Sequence, residues 1–555
     1  MKKLAATLSF FVFFFSLQLL AQPLNKKQSF TYADTLRGSI TPGRSWWDVL
    51  RYDVEVTPDY NKKAIAGKTT IHYKIVQDKY SDYMQIDLQK PLRIDTIFYD
   101  KKLYINYPGK PYYNDGNVWF IPLPKAAKNS VHSVTIAYHG SPREAVHAPW
   151  DGGWIWARDE HGRPWMTVAC QGLGASVWYP CKDHQSDEPD NGASLTMNVP
   201  DTLIAIAGGK LKNKVLKNGL ASYTWEVTNP INNYNIIPYI GKYVNFTETF
   251  NGEKGKLNCS YWVLDYNLDK AKKQFTQVPQ MLKAFEYWFG PYPFYEDDYK
   301  LVDAPHLGME HQSAIAYGNG YANGYLGKAY PSSSEWALKF DYIIVHESGH
   351  EWFANNITTK DVADMWVHEG FTNYSEVLFT EFYNNKEAGT DYLLGLRHKI
   401  QNDKPVIGIY GVNKEGSGDM YAKGANIIHT LRQVINDDEK FRTLLRGLNQ
   451  DFYHKVVTTK QVEDYISQKT GKNFSKFFDQ YLRTAQIPTL EIRKDKDNME
   501  YKWSNCIKGF DMPVRLTNGA WLQPTTEWTK LKDDNLELKN LDVDKNFYIK
   551  TKTIS

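Results

Sequence analysis

The chain has 555 residues, too many for one hydrophobic core, so several domains of about 100–200 residues each are expected. Hydrophobic residues make up 42% and charged residues 23%, the balance of a folded soluble protein. The net charge is only +3, from 66 Lys and Arg against 63 Asp and Glu, which argues against a general electrostatic footprint for nucleic acid; no nucleic-acid partner is expected.

The first residues predict a secretory signal over 1–21. Lys2 and Lys3 give a charged start, Leu4 to Leu20 an apolar run, and Ala21 a small residue before the polar Gln22-Pro23. The run is short for a span of about 20 apolar residues, and no stop-transfer charges follow it, so no stable membrane insertion is expected after cleavage. An exported protein, periplasmic or secreted, is the expectation. An oxidising compartment permits disulfides, and Cys170, Cys181, Cys259 and Cys506 allow three full pairings, among which the sequence does not choose. Their spacing matches no cysteine zinc site.

From about residue 45 to 250 the texture is that of strands. Leu50 to Val56, Thr69 to Ile75 and Val131 to Tyr138 alternate apolar and polar residues, separated by Gly, Pro, Asn and Asp, which suggests antiparallel sheets. Near 265 the period changes. Leu268 to Phe289 carries apolar residues at helical spacing and stops at Gly290-Pro291. Further helices are predicted over about 334–356, 369–385, 421–436, 438–448, 459–469 and 474–484, with a few strands near 298–318. Thr458 and Gln461 fit a capping box. After Ile487-Pro488 alternation returns, at Leu490-Glu491-Ile492 and Val514-Arg515-Leu516. The expected domains are an N-terminal β domain over 22–250, a mainly helical domain over 251–487 and a small β domain over 488–555.

His346-Glu347-Ser348-Gly349-His350 is the strongest local signal. Residues four apart lie on one face of a helix, so two imidazoles can grip one zinc ion. Glu347 lies about 100° round from His346, near enough to reach a water at the metal without being a ligand. Apolar Tyr342 to Val345 before the motif and Trp352-Phe353 after it suit a buried helix, and Gly349 suggests close packing against another backbone. Glu369 follows His350 after eighteen residues, 351–368, room for one helix to end and a second to return a carboxylate as third ligand. His368 is a rival ligand beside it. Glu376, two turns on, is either an acceptor orienting a ligand histidine or a solvated surface residue.

With these residues the chain, from about 45 to 485, resembles the aminopeptidase N family of zinc peptidases. The shared pattern is His-Glu-x-x-His, eighteen residues and Glu, flanked by Glu351-Trp352-Phe353, Asn355, Gly370-Phe371 and Tyr374. The resemblance implies a multidomain α+β fold: an N-terminal antiparallel β domain, a thermolysin-like, mainly helical catalytic domain and a short C-terminal β domain. It implies one Zn2+ per chain and peptide substrates with a free N-terminus, hydrolysed by water that Glu347 activates. The segment Leu307-Gly308-Met309-Glu310-His311 matches the family's amine-binding strand at Met309 and Glu310 and has Gly308 at its variable position; Leu307 and His311 depart from it. Glu310 is then the residue that captures the amine, with Gly308 and Met309 along the substrate. Gln171, in Cys170-Gln171-Gly172, occupies a second amine-binding position. Tyr421, in Tyr421-Ala422-Lys423-Gly424, corresponds to the family's oxyanion donor. His306 and His311 are too awkwardly spaced for one helix face or one strand side, so no second metal is expected there. The same scaffold also admits an endopeptidase or an epoxide hydrolase-type activity. The family's large helical C-terminal domain has no room before Ser555, so a more open cleft is expected.

Overall fold

The computed structural model describes residues 30–104, 110–495, 498–531 and 542–554. The predicted signal over 1–21 lies outside them. Among the described residues no helix is long and apolar enough to cross a membrane.

The N-terminal part is built on an eight-stranded sheet, in the order Lys210–Lys217, Leu220–Val227, Ala193–Pro200, Trp47–Asp59, Ala64–Ile75, Val131–Gly140, Arg93–Tyr99 and Lys102–Leu103. The alternation seen in the sequence sets its faces. Tyr52, Val54 and Val56 point inward, as do Ile71, Tyr73 and Ile75, and Val134, Ile136 and Tyr138. Most pairs are antiparallel, but Trp47–Asp59 runs parallel to Ala193–Pro200, so the sheet is mixed where an antiparallel one was expected. A four-stranded sheet including Gly153–Arg158 and Pro164–Ala169 covers it and shares its core.

A five-stranded sheet follows, in the order Tyr243–Gly252, Gly255–Leu264, Tyr299–Asp303, Ile315–Tyr317 and Gly308–Met309. Its first two strands form a hairpin that runs through residue 250, where the sequence-based division fell, so a boundary there would split a paired unit. Gly308–Met309 is the edge strand and, among the described residues, pairs only with Ile315–Tyr317.

Ten helices are seen among the described residues: α1 (Tyr32–Gly38), α2 (Leu268–Gln274), α3 (Gln277–Phe289), α4 (Tyr342–Gly349), α5 (Trp366–Tyr383), α6 (Lys386–Leu396), α7 (Ala422–Ile435), α8 (Asp438–Asp451), α9 (Thr459–Thr470) and α10 (Ser475–Arg483). The single helix expected over 268–289 is broken at Phe275-Thr276 into α2 and α3. The expected long helix over 334–356 shrinks to α4. Asp341 caps it, its carboxylate accepting from the amides of Ile343 and Ile344 at 3.1 and 3.3 Å. Every residue of α4 is buried, so neither face turns to water. Helix α9 starts at the predicted capping box of Thr458 and Gln461. The C-terminal strands, including Thr489–Asp495 and Lys550–Ile554, form a four-stranded sheet. Its Leu490, Trp503 and Phe547 join one continuous core with Phe477 and Tyr481 of α10. All four cysteines are unpaired, three of them buried and Cys506 partly so.

Candidate metal centre

Two helices bring the predicted ligands together. His346 stands on the last turn of α4, His350 just beyond its end, and Glu369 on the first turn of α5. The helices pack closely here: a Cβ on Gly349 would stand 2.7 Å from Ser375 Oγ and 3.1 Å from Thr372 Cγ2. The neighbours of Gly349 are therefore α5 side chains rather than the backbone expected from the sequence. A second close approach positions the other side of α5. A Cβ on Gly424 would lie 2.8 Å from the Cα of Gly370, so α5 and α7 meet backbone to backbone directly after Glu369 and Tyr421.

One Glu369 carboxylate oxygen lies 3.4 Å from His350 Nε2 and 3.9 Å from His346 Nε2. The three donors form a buried group able to hold a metal ion. That Glu369 oxygen has no hydrogen-bond partner although the residue is only 2% exposed, an arrangement that is costly unless a cation satisfies it. Two imidazoles and a carboxylate are a donor set of catalytic zinc, and donors on a tetrahedral ion with bonds of about 2.0–2.1 Å stand about 3.3 Å apart, so the residues fit.

Outer contacts fix both rings in the tautomer a metal needs. His346 Nδ1 donates to Glu376 Oε1 at 2.7 Å, and Glu376 also accepts from Asn373 at 2.8 Å and from the Tyr392 hydroxyl at 2.5 Å. Glu376 is fully buried, so of the two readings open in the sequence it is the orienting acceptor and not a surface residue. His350 Nδ1 lies 3.1 Å from the carbonyl of Phe353 and 3.1 Å from Thr372 Oγ1. Each Nε2 is thereby left with its lone pair toward the centre. The rival ligand His368 accepts the amide of Thr359 through Nε2 at 2.8 Å and lies outside the metal-holding group.

Glu347 is 8% exposed, and burial pushes its carboxyl up to about 7, with His346 and His350 pulling the other way. A Cβ on Gly308 would stand 2.9 Å from Glu347 Oε1 and 2.9 Å from Ile343 Cδ1, so the edge strand passes directly over α4 at this residue. Glu310 comes directly after that strand. Its Oε1 accepts from Gln171 Nε2 at 2.6 Å and from the Tyr234 hydroxyl at 3.0 Å, and its carbonyl accepts from Asn355 Nδ2 at 2.8 Å. Burial raises the Glu310 carboxyl above its ordinary range. Tyr421 is 36% exposed, its ring 6.3 Å from that of His346. Its hydroxyl is held well above the usual range by burial and by the carboxylates of Glu369, Glu415 and Glu310.

Met309 is buried in the strand beside Glu310. His311 turns away from the centre, where Tyr239 takes its Nδ1 at 2.5 Å, so this departure from the family segment points into the N-terminal core. The rings of His306 and His311 are 6.4 Å apart, and among the described residues they belong to no metal-holding group. Tyr234 and Glu415 went unremarked in the sequence. No motif marks them, and both reach the centre only through the fold.

Comparison with known proteins agrees with this geometry. Residues 49–234 match the peptidase M1 N-terminal domain and residues 273–481 the peptidase family M1 domain. The aminopeptidase N of Lactococcus lactis is 23% identical over 344 residues, an alignment covering 58% of this chain and only 39% of that protein. The leukotriene A-4 hydrolase of Xenopus laevis is 23% identical over 441 residues, covering 76% of this chain and 68% of the other. Among solved structures, a mutant M1 zinc metallopeptidase from Deinococcus radiodurans bound to a Tyr-Ser-Ala substrate has the same fold, with a TM-score of 0.67 at 19% identity over 80% of this chain and 96% of that one. These two family models, which between them take in most of the chain, place the protein in peptidase family M1, the family of aminopeptidase N.

Proposed function

We propose that the protein is a zinc aminopeptidase that removes N-terminal residues from peptides. The observation that carries this reading is the Glu310 carboxylate, held by Gln171 and Tyr234 directly after an edge strand that passes over Glu347. A carboxylate oriented by two donors to one oxygen keeps its other oxygen for a third, and a substrate ammonium supplies it by a charge-assisted bond. The unpaired side of Gly308–Met309 extends the peptide backbone as an added strand. That fixes the first peptide carbonyl at the centre and gives an exopeptidase its register.

His346, His350 and Glu369 would hold the zinc ion, which when bound supplies Lewis acidity and lowers the pKa of water. Glu347 takes a proton from the attacking water and returns it to the leaving amine. Its raised pKa, near 7, suits both halves of that task. The Tyr421 hydroxyl donates to the oxygen that gains charge as the carbonyl becomes tetrahedral. Export through the predicted signal is part of the same proposal, and cell fractionation tests it.

Purified protein should release N-terminal residues from free peptides, lose this on chelation and regain it with zinc. Cleavage of N-acetylated peptides with none of free ones would overturn the aminopeptidase reading in favour of an endopeptidase.

A further inference from the structure

Helix α1 is seven residues long and buries none of them, so it contributes little to the core. Yet its C-terminal end touches two segments that lead into the proposed active site. A Cβ on Gly38 would stand 2.2 Å from the backbone nitrogen of Asn413 and 2.2 Å from the carbonyl carbon of Val412, so the contact is backbone on backbone. The Asn413 amide donates to the Asp34 carbonyl at 3.0 Å, and Lys414 Nζ lies 3.7 Å from the Asp34 carboxylate. On its other side Arg37 Nη1 donates to the carbonyl of Gly172 at 3.3 Å, and Arg37 Nε lies 3.5 Å from Asp183. His184 Nε2 donates to the Gly38 carbonyl at 3.1 Å. Asn413 Nδ2 reaches the same Gly172 carbonyl at 3.5 Å, so both segments meet beside Gln171.

The segment is fixed at its exit. Arg44, fully buried, donates to Asp87 at 2.6 Å and to the carbonyls of Arg37 and Ser39 at 2.5 and 3.1 Å. Arg37 and Gly38 also form part of the wall of a polar cavity of about 40 Å3 that touches Gln171 and Tyr234, the two residues that hold Glu310. Asn413 lies on the loop that ends at Tyr421. That loop is braced internally: Asp419 accepts the amides of Gln401 and Asn402 at 2.8 and 2.7 Å, and Ser417 donates to the carbonyl of Pro405 at 3.1 Å. Residues 414–420 connect Asn413 to Tyr421, and within them Ser417 and Asp419 are held against 401–405.

We propose that Asp34, Arg37 and Gly38 are positioning residues, and that α1 is a strap tying the loop of Gln171 to the loop of Tyr421. The strap sets the spacing between the amine-binding carboxylate and the oxyanion donor, so this proposal rests on the aminopeptidase reading. Neither residue of that pair touches the strap directly; its effect passes through Gly172 and Asn413.

The test uses two variants of the full chain. Gly38→Val drives a side chain into the 412–413 backbone, and Arg37→Ala removes the Gly172 bond without a clash. Both should lower kcat/KM on free peptides by about 10- to 100-fold, the scale of a 1 Å misplacement, with KM raised and kcat lowered together. Amide exchange at Asn413 should quicken in Gly38→Val. Some loss of melting temperature is expected in both, from the backbone clash in Gly38→Val and from the buried Asp183 left without its cation in Arg37→Ala, so kcat and KM are compared on protein that circular dichroism shows to be folded at the assay temperature. Unchanged kcat and KM in the folded protein, or unchanged exchange at Asn413 in Gly38→Val, would overturn the proposal. If the unaltered protein cleaves no free peptide, the aminopeptidase reading fails, while exchange at Asn413 still decides whether the strap holds the loop.

Discussion

Glu347 and Glu310 are both buried carboxylates raised by desolvation, but the proposed mechanism gives them different work. Glu347 sits between the ligand histidines and the edge strand, and among the described residues no lysine or arginine pairs with it, so it can gain and lose a proton near neutral pH. Glu347→Gln keeps the shape and should keep the metal; turnover should fall by at least about 100-fold, the lower range for general-base catalysis, while metal analysis stays at one ion per chain. Activity close to that of the unaltered protein would remove Glu347 from this role. Glu310, held by two donors, stays in place to meet a cation. Glu310→Gln loses a charge-assisted bond of about 1.5–3 kcal/mol, so KM for free peptides should rise roughly 10- to 100-fold and the preference over N-acetylated peptides should shrink. Tyr421→Phe is expected to split the other way, with kcat lower by about 100- to 1000-fold and KM nearly unchanged. His346, Glu347, His350 and Glu369 were legible in the sequence because one short motif and one spacing carry them. Tyr234 was not, because its link to Glu310 spans 76 residues and exists only after folding.

Among the elements, the crossing of α5 and α7 does the most positioning. Glu369 precedes Gly370 and Tyr421 precedes Gly424 by one turn, so the glycine pair that lets the helices touch also sets the distance between Glu369 and Tyr421, the proposed oxyanion donor. Gly424→Ala places a Cβ 2.8 Å from the Cα of Gly370, too close for backbone to ignore. The helices must part, and both metal affinity and kcat should fall together; a calorimetric zinc titration that matches the unaltered protein would contradict this. Glu376→Ala acts on one ligand alone, freeing the His346 ring, and should weaken zinc binding by about 10- to 100-fold. Element boundaries were less legible than these contacts. Helix α4 is shorter than its apolar pattern suggested because the chain turns after His350, where the amide of Asn355 returns to the His350 carbonyl at 3.0 Å. Helix α6 was missed because Gly389 and Gly395 interrupt its pattern, and tertiary packing of Tyr392, Leu393 and Leu396 stabilises it instead. Where local signals agreed, as at Thr458 and Gln461, the structure follows them.

At the scale of the whole molecule, buried titratable groups make stability depend on pH in two opposed ways. Burial lowers His306 to about 4 and His429 to about 3, so these rings stay neutral in the folded chain while an unfolded chain would protonate them near 6.5. The unfolded state then binds more protons as pH falls, and the stability that neutral burial contributes above 6.5 is lost on the way down to about 4. Asp303 and Asp341 are raised to about 6 by burial and act in the reverse sense: the folded chain takes up protons first, so their contribution grows as pH falls through 6. The sum is a dome whose acid side cannot be assigned to one group by its slope, so a difference between two proteins is the informative quantity. His306 is suited to this because it is 7% exposed and, among the described residues, its ring nitrogens hydrogen-bond no other side chain. In His306→Leu the carboxylates remain and the histidine term disappears. Its unfolding free energy relative to the unaltered protein should therefore improve by about 2–3 kcal/mol between pH 7.5 and pH 4.5, in urea titrations at both values. An equal difference at the two pH values would show that His306 is protonated alike in the folded and unfolded chains.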